Sequence, residues 1–407
     1  MNYILKHKDI NVLMASLNDV GNVQKVLEVY NEEHLPVNIQ KEKYKAVGLQ
    51  EFLRSRIIPN ERLNWLEVMN SYNTKSSFDL SVKSYQVSLV DHYWLMPTNK
   101  DLAWDDVNFF YKMFPNEGVF VSMTNLFGST SNISLHTPNT TLNGTLPQMW
   151  TCQNNKLYLL KAGAGYLKQQ PFNEVFVADL LNELQFPHVS YDLIEDQGQF
   201  LSICPCFTTD EIEFIPAWQI VTQNNKKIGL WNNFIECMKE SGLTDSSVVA
   251  DLQRMVITDY LILNEDRHYN NFGFLRNSNT LQWQGMAPLF DHGNSLWYED
   301  SHISLHRPIF SYKAKTFAST HEKQIERVTL DISDRLGRVL PHIPALVEET
   351  FSCNPNFDPE RRMALIRGVE KRVQLLIERM DRKEEMQQES QPLFRISKPE
   401  NSKGLER

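Results

Sequence analysis

The residues of this chain whose types and spacing suit a chemical reaction lie in two polar segments of its C-terminal half. Asp266 is followed five residues later by Asn271, and a second acid, Asp291, ends an apolar run. In metal-assisted phosphoryl transfer, one Asp orients and deprotonates the attacking hydroxyl, while an Asn and a later Asp hold Mg²⁺ against the nucleotide phosphates. Mg²⁺ prefers oxygen ligands and takes few from the protein. The spacing therefore predicts phosphoryl transfer from a nucleotide.

Three further features lie upstream, in the order that a nucleotide-binding lobe requires. Gly144 and Thr145 stand in a polar turn, where backbone N–H groups can cover phosphates. Lys161 ends an apolar strand candidate, and Glu174 lies early in the next helix, so an ion pair would aim the lysine at the α- and β-phosphates. Each feature alone has a plainer explanation: a simple turn, a solvated edge-strand lysine, or an acid favoured at a helix N-terminus. Their order favours nucleotide binding.

The elements that must position these upstream residues follow from periodicity and turn signals. Strand candidates occur at 148–151, 156–162, 189–194 and 200–204. An apolar repeat at helical spacing, with Pro171 in its first turn, predicts a helix from Pro171 to Leu184. The outcome is a small sheet that carries one helix.

The downstream residues need a different scaffold, because the chain reads as largely helical from Pro216 onward. Asp245 or Ser246 can cap a helix whose C-terminal end delivers Asp266. Another helix is predicted to start at Pro359.

Composition limits the classes of protein that fit. Hydrophobic residues make up 42% and charged residues 22% of the 407 positions, which is ordinary for a globular protein of two or more lobes. The net charge is −9 and no Lys/Arg block stands out, which disfavours a nucleic-acid-binding surface. The five cysteines are scattered, as in a reducing cytosol. With no signal peptide and no membrane-spanning run, we expect a cytoplasmic protein without membrane or direct nucleic-acid partners.

The motifs together resemble the HipA-like serine/threonine kinases. The resemblance rests on NEDRHYNNFG at 264–273, PLFDHGNSL at 288–296 and YLLK at 158–161, and it spans roughly residues 140–380. The first of these motifs is the most specific.

The resemblance implies an α+β, two-lobed protein-kinase-like fold of the HipA type. A β-rich N-lobe would occupy residues 116–215, and a mainly helical C-lobe with the catalytic and metal-binding motifs would occupy 216–382. Residues 1–115 would form an additional N-terminal α/β region, comparable to the family's small N-terminal subdomain. The charged, Gln-rich segment 383–407 reads as a disordered tail.

The resemblance also assigns roles to single residues. Asp266 is similar to the catalytic base, Asn271 and Asp291 to the magnesium ligands, and Lys161 to the ATP-binding lysine. His268 matches a histidine of the family's catalytic motif, beside the nucleotide, and we assign it to local structure rather than to proton transfer.

The segment from Cys204 to Phe207 is expected to form the hinge between the lobes. Backbone groups of this segment would hold the adenine of ATP.

One position departs from the family pattern. The family's phosphate loop commonly carries a Ser, then a Gly and then a Lys, whereas the matching stretch here, 141–148, has Gln148 in the lysine position. In some members autophosphorylation of the loop serine inactivates the kinase. Thr141 or Thr145 is our candidate for that role.

Three functions remain open on these residues. The first is an ATP- and Mg²⁺-dependent kinase acting on a Ser or Thr of a protein, with a small antitoxin-like inhibitor as a further partner implied by the family. The second is a kinase for a small molecule or lipid headgroup, since the same site needs only a positioned hydroxyl. The third, supported by Gln148, is a nucleotide-sensing module without catalysis.

Overall fold

Three antiparallel sheets organise the chain in the computed structural model, which describes residues 1–74, 76–111, 114, 135–196, 198–221, 228–300, 303 and 311–389. The first sheet belongs to the N-terminal region and has the strand order β3-β2-β1-β4. Its strands are β1 (Asn2–His7), β2 (Ile10–Leu17), β3 (Val23–Val29) and β4 (Tyr93–Pro97). The helices of this region are α1 (Val37–Lys41), α2 (Lys45–Arg54), α3 (Trp65–Ser71), α4 (Ser77–Lys83) and α5 (Trp104–Val107).

The second sheet has four strands in the order β5-β6-β8-β7 and packs against one helix. Its strands are β5 (Gln148–Gln153), β6 (Lys156–Ala162), β7 (Asp192–Asp196) and β8 (Gln199–Pro205), and its helix is α6 (Gln170–Leu184). Asn154 and Asn155 adopt positive φ in the turn between β5 and β6, as their side chains allow. The register places Lys161 of β6 opposite Ser202 of β8. Strand β8 is the one that leads into the expected hinge segment, Cys204 to Phe207.

The third sheet lies in the C-terminal half, where the sequence had indicated mostly helices. β9 (Ile212–Pro216), β10 (Gly273–Asn277) and β11 (Trp283–Met286) pair in the order β11-β10-β9. The helices are α7 (Leu230–Glu240), α8 (Ser246–Ile262), α9 (His321–Ile325), α10 (Ser333–Val339), α11 (Ile343–Phe351) and α12 (Pro359–Glu389). The mixed α+β architecture is as expected, and β9 and β10 are additions to it.

The last helix runs past position 383, where the charged tail was expected to begin. α12 continues to Glu389, because Glu, Lys, Arg and Gln are good helix formers even without apolar anchors. Residues 115–134 and 390–407 lie outside the described part of the chain. Of the helices that the structure describes, none combines the length and apolar character needed to cross a bilayer.

A buried polar cluster joins the N-terminal region to the third sheet. Glu213 of β9 is fully buried and accepts hydrogen bonds from Arg276 of β10 at 2.7 Å and pairs with His7 of β1 at 3.1 Å. His92 lies 3.6 Å from the same carboxylate, and Arg276 also donates to the Tyr93 hydroxyl at 3.1 Å. The two histidines and Glu213 have metal-ligand chemistry, but Arg276 already supplies the positive charge that balances the carboxylate.

The Glu213 cluster sets a pH dependence of stability. Burial opposes ionisation of Glu213, but Arg276 and His7 outweigh it and hold the pKa of the carboxyl well below its ordinary value. Because the folded-state pKa is the lower one, the stabilisation is complete above the unfolded-state pKa of about 4.3. It is lost as the pH falls through the folded-state pKa.

We expect Glu213→Gln to lower the free energy of unfolding at pH 7 by about 3–5 kcal/mol, because Arg276 would stay buried without its counter-charge. Urea denaturation followed by tryptophan fluorescence, at pH 7 and again under acidic conditions, measures this. The gap between variant and wild type should narrow at the acidic pH. Glu211→Gln, an exposed change on the same segment, is the control. Equal stability of wild type and Glu213→Gln at pH 7 would contradict the assignment.

Candidate active site

The candidate catalytic loop begins where α8 ends. Leu263 adopts a left-handed conformation (φ 52°), and the Asn264 side chain donates to Asp259, one turn back, at 3.1 Å. The Asn264 side-chain oxygen then accepts from the backbone N–H of Asp266 at 2.9 Å, which closes a tight Asx turn. These local bonds bring Asp266 to the surface of the cleft directly after the helix.

Asn271 closes the same loop from its other end. Its side-chain amide donates to the carbonyl of Asp266 at 3.1 Å, which leaves the amide oxygen free to face a cation. Gly273 follows at the start of β10, and a Cβ at this position would collide with the carbonyl of Ile215 in the neighbouring strand. Only glycine therefore lets the loop return so closely to β9.

Arg267 is buried between the two predicted motifs and connects them. Its guanidinium is 1% exposed and pairs with the buried Asp259 at 3.1 Å. One nitrogen donates to the carbonyls of Asn271 and Phe290, each at 2.6 Å, and another lies 3.0 Å from His292 Nδ1. Sequence reasoning gave Arg267 no role, because an arginine in a polar loop has no local signal of burial.

Lys161, Glu174 and Asp291 lie together in the structure, and the Lys161–Glu174 pair is the one that the motifs led us to expect. Lys161 Nζ lies 3.2 Å from Glu174 and 2.6 Å from Asp291. The second oxygen of Glu174 accepts the backbone N–H of His292 at 2.8 Å. These contacts therefore join α6, β6 and the segment after β11 through one row of charged side chains.

The charges of Lys161, Glu174 and Asp291 change one another's pKa values. Burial by itself would lower the pKa of Lys161, but Asp291 and Glu174 outweigh it and raise that pKa. Burial also opposes ionisation of Asp291, and the charge and hydrogen bond of Lys161 reverse the effect, so its pKa is lowered. For Glu174 burial prevails and the pKa is raised. Lys161 and Asp291 are thus held as an ion pair at neutral pH.

A small cavity lies beside these charges. Its lining includes Lys161, Glu174, Asp291, Leu146 and Asn294. Its volume is about 20 Å³, enough for about one water molecule.

The Asp266 carboxylate has two partners that sequence reasoning did not assign. Asn294 donates to one oxygen at 2.9 Å, and Lys315 Nζ lies 2.5 Å from the other. Asn294 belongs to the PLFDHGNSL motif at 288–296, which could have pointed to it, whereas nothing in the sequence around Lys315 indicated this contact. His268 Nε2 lies 4.0 Å away, and its Nδ1 accepts the N–H of Asn270 at 3.3 Å, consistent with local structure.

The predicted phosphate loop is held by the N-terminal region. Buried Arg62 donates to the carbonyls of Leu142 and Gly144, and Leu63 N–H donates to the carbonyl of Thr145 at 3.0 Å. Burial lowers the pKa of Arg62 to about 10, which leaves it charged at neutral pH.

Gly144 has a positive φ of 124°, and Gln148 folds back over it to donate to the carbonyl of Asn143. Thr145 is exposed, whereas Thr141 is 4% exposed and its hydroxyl donates to the carbonyl of Val87 at 2.8 Å. Of the two threonines, Thr145 is the accessible one.

The expected hinge residues lie at the end of β8. Cys204 is buried, and burial raises the pKa of its thiol to about 12. Phe207 packs against Phe214 and Phe290, with ring centres 5.6 and 5.5 Å away. The segment connects the second sheet to β9, and its contact with adenine stays a prediction.

Comparisons with known proteins point to one family. The sequence profile of the HipA-like C-terminal domain matches residues 136–351. The serine/threonine-protein kinase CtkA of Helicobacter pylori is 24% identical over 230 residues, which are 47% of this chain and 67% of CtkA. The crystal structure of CtkA, a proinflammatory kinase, covers 58% of this chain and 95% of its own, with 20% identity and a TM-score of 0.45.

A second solved structure extends the similarity over nearly the whole chain. The complex of HipA, HipB and operator DNA from Shewanella oneidensis MR-1 contains a chain that is 13% identical and has a TM-score of 0.52. The match covers 93% of this chain and 97% of that one, so the predicted HipA-like α+β fold is confirmed. The profile match spans more than half of the sequence, and the chain therefore belongs to the family defined by the HipA-like C-terminal domain.

Proposed function

We propose that this protein is a kinase that transfers the γ-phosphate of ATP to a Ser or Thr hydroxyl of a protein. The observation that carries the proposal is the position of Lys161 between Glu174 and Asp291. A lysine paired with a helix glutamate, beside an acid that can bind a metal ion, is the arrangement that holds nucleotide phosphates in kinases. Membership of the HipA-like family supports the same reaction.

The donor set fits Mg²⁺ and ATP. Asp291 supplies a carboxylate and Asn271 an amide oxygen, the hard ligands that Mg²⁺ accepts, and Lys161 supplies a cation for the phosphates. Bound Mg²⁺ would neutralise the charge that develops on the transferring group. The backbone N–H groups of Gly144 and Thr145 would cover the phosphates, and the Gly144 N–H would exchange its present bond to Asn143 Oδ1 for a phosphate oxygen.

The remaining residues act on the acceptor. Asp266 would orient the hydroxyl and take its proton, and the amide of Asn294 holds the carboxylate in place for this step. The cavity beside Lys161 is far smaller than a nucleotide.

The partners we propose are a protein that carries the acceptor and a small antitoxin-like inhibitor. HipA of Shewanella oneidensis was solved with HipB and operator DNA, which supports an inhibitor of that kind. The net charge of −9 continues to favour indirect rather than direct contact of this chain with nucleic acid.

The central test is the transfer of radiolabelled γ-phosphate from ATP with Mg²⁺, with and without a generic protein acceptor. We expect Asp266→Asn to lower the rate by about 10²–10⁴-fold, because the amide cannot accept the proton. Asp101→Asn is the matched control, because Asp101 is an exposed acid distant in sequence from Asp266. Undiminished transfer by Asp266→Asn would refute the assignment of the base. Where the wild type transfers no label, calorimetry decides whether it binds ATP.

The contacts of Arg62 with the phosphate loop lead to a further prediction. Replacement by Ala removes its hydrogen bonds to the carbonyls of Leu142 and Gly144, each contributing about 1 kcal/mol. The loosened loop should weaken ATP binding by about tenfold, measured by calorimetry with Mg²⁺. Arg54→Ala, an exposed arginine of the same region, serves as control. Unchanged affinity in a folded Arg62→Ala variant would show that the N-terminal region does not support the loop.

A further inference from the structure

A short hairpin between residues 311 and 320 lies against the catalytic loop. Lys313 and Thr320 form its β-bridge, and Ala314 N–H donates to the carbonyl of Ser319 at 3.2 Å. The Thr316 hydroxyl donates to the carbonyl of Arg267, and the Tyr269 hydroxyl donates to the carbonyl of Thr316 at 3.4 Å. Both bonds join the tip of the hairpin to the segment that begins with Asp266.

This anchoring places Lys315 on Asp266. The lysine Nζ lies 2.5 Å from one carboxylate oxygen, and the Lys315 side chain is 53% exposed. The neighbouring cations are otherwise engaged: Arg267 is buried on Asp259, and Lys161 is held by Glu174 and Asp291. Among the described residues, Lys315 is the lysine that reaches the carboxylate of Asp266 and still faces solvent.

A cation near the transferring group would assist the reaction. Charge spreads over the three peripheral oxygens of the transferring phosphoryl group, and cations or dipoles fixed near them stabilise the transition state. The phosphate loop contributes no lysine at position 148, and the amide of Gln148 is bonded to the carbonyl of Asn143. A long, half-solvated lysine beside the base can swing by a few ångströms to meet the γ-phosphate.

We propose that Lys315 is the cation that contacts the transferring γ-phosphoryl group, bridging it to Asp266. This inference rests on the proposed kinase function. In the step, the acceptor oxygen forms a bond to the γ-phosphorus while the bond to the β–γ bridging oxygen breaks. The bond's electron pair leaves with ADP, and the acceptor proton passes to Asp266. Lys315 keeps its protons and its charge throughout.

Comparing ATP with ADP separates contacts to the γ-phosphate from contacts to the rest of the nucleotide. Lys315→Met should lower kcat by about 10²-fold, the usual effect of removing one transition-state contact. It should also abolish the preference for ATP over ADP in calorimetry with Mg²⁺, while the affinity for ADP stays within about twofold of wild type. Lys315→Arg keeps the charge and should retain part of the activity.

Lys313→Met is the matched control, because Lys313 is an exposed lysine of the same hairpin with the same charge and size. Wild-type kcat and wild-type preference for ATP in Lys315→Met would overturn the proposal. So would increased kcat, which would identify an inhibitory contact, or equal losses in Lys313→Met. A wild-type protein that neither binds ATP nor transfers phosphate would overturn the kinase function itself, and that result is distinct from failure of the Lys315 variant alone.

Discussion

The arrangement of the candidate site depends on the buried ion pair between Arg267 and Asp259. A fully buried pair is costly to desolvate, and removing one partner typically costs about 3–5 kcal/mol. Here the guanidinium also satisfies the carbonyls of Asn271 and Phe290, so it ties the catalytic loop to the segment that ends in Asp291. Because Arg267 points inward, its neighbour Asp266 is left at the cleft surface, 27% exposed.

Local patterns predicted the parts of the fold that are built from neighbours in sequence. Strand β6 begins and ends at the expected residues, because an apolar run after an Asn-Asn turn leaves little choice of boundaries. The helix that follows begins one residue from its predicted start, where Pro171 suits the first turn. Lys161 and Glu174 could be paired because each lies near one end of an element of recognisable period, and Asp291 stood out because it follows an apolar run.

Contacts between distant segments were beyond such reasoning. Lys315 and Asp266 are 49 positions apart, and Arg62 and Gly144 are 82 apart, with no local pattern that links them. Two strands of the third sheet, β9 and β10, were missed for a similar reason: Ile212–Pro216 is a short apolar run whose partner strand, Gly273–Asn277, comes more than fifty residues later. Burial of charged residues such as Glu213 is invisible until the partner is in place.

The N-terminal region touches both sides of the cleft. Arg62 holds the carbonyl of Gly144 beside the second sheet. Lys41 donates to the Ser241 hydroxyl at 2.7 Å, and His7 pairs with Glu213 on the other side. A molecule that binds this region in only one arrangement of the cleft shares a coupling free energy with the nucleotide. Such a molecule changes the protein's affinity for the nucleotide by some factor, and the nucleotide changes the protein's affinity for that molecule by the same factor. An effector that binds the outer face of residues 1–107 would therefore be thermodynamically linked to the site.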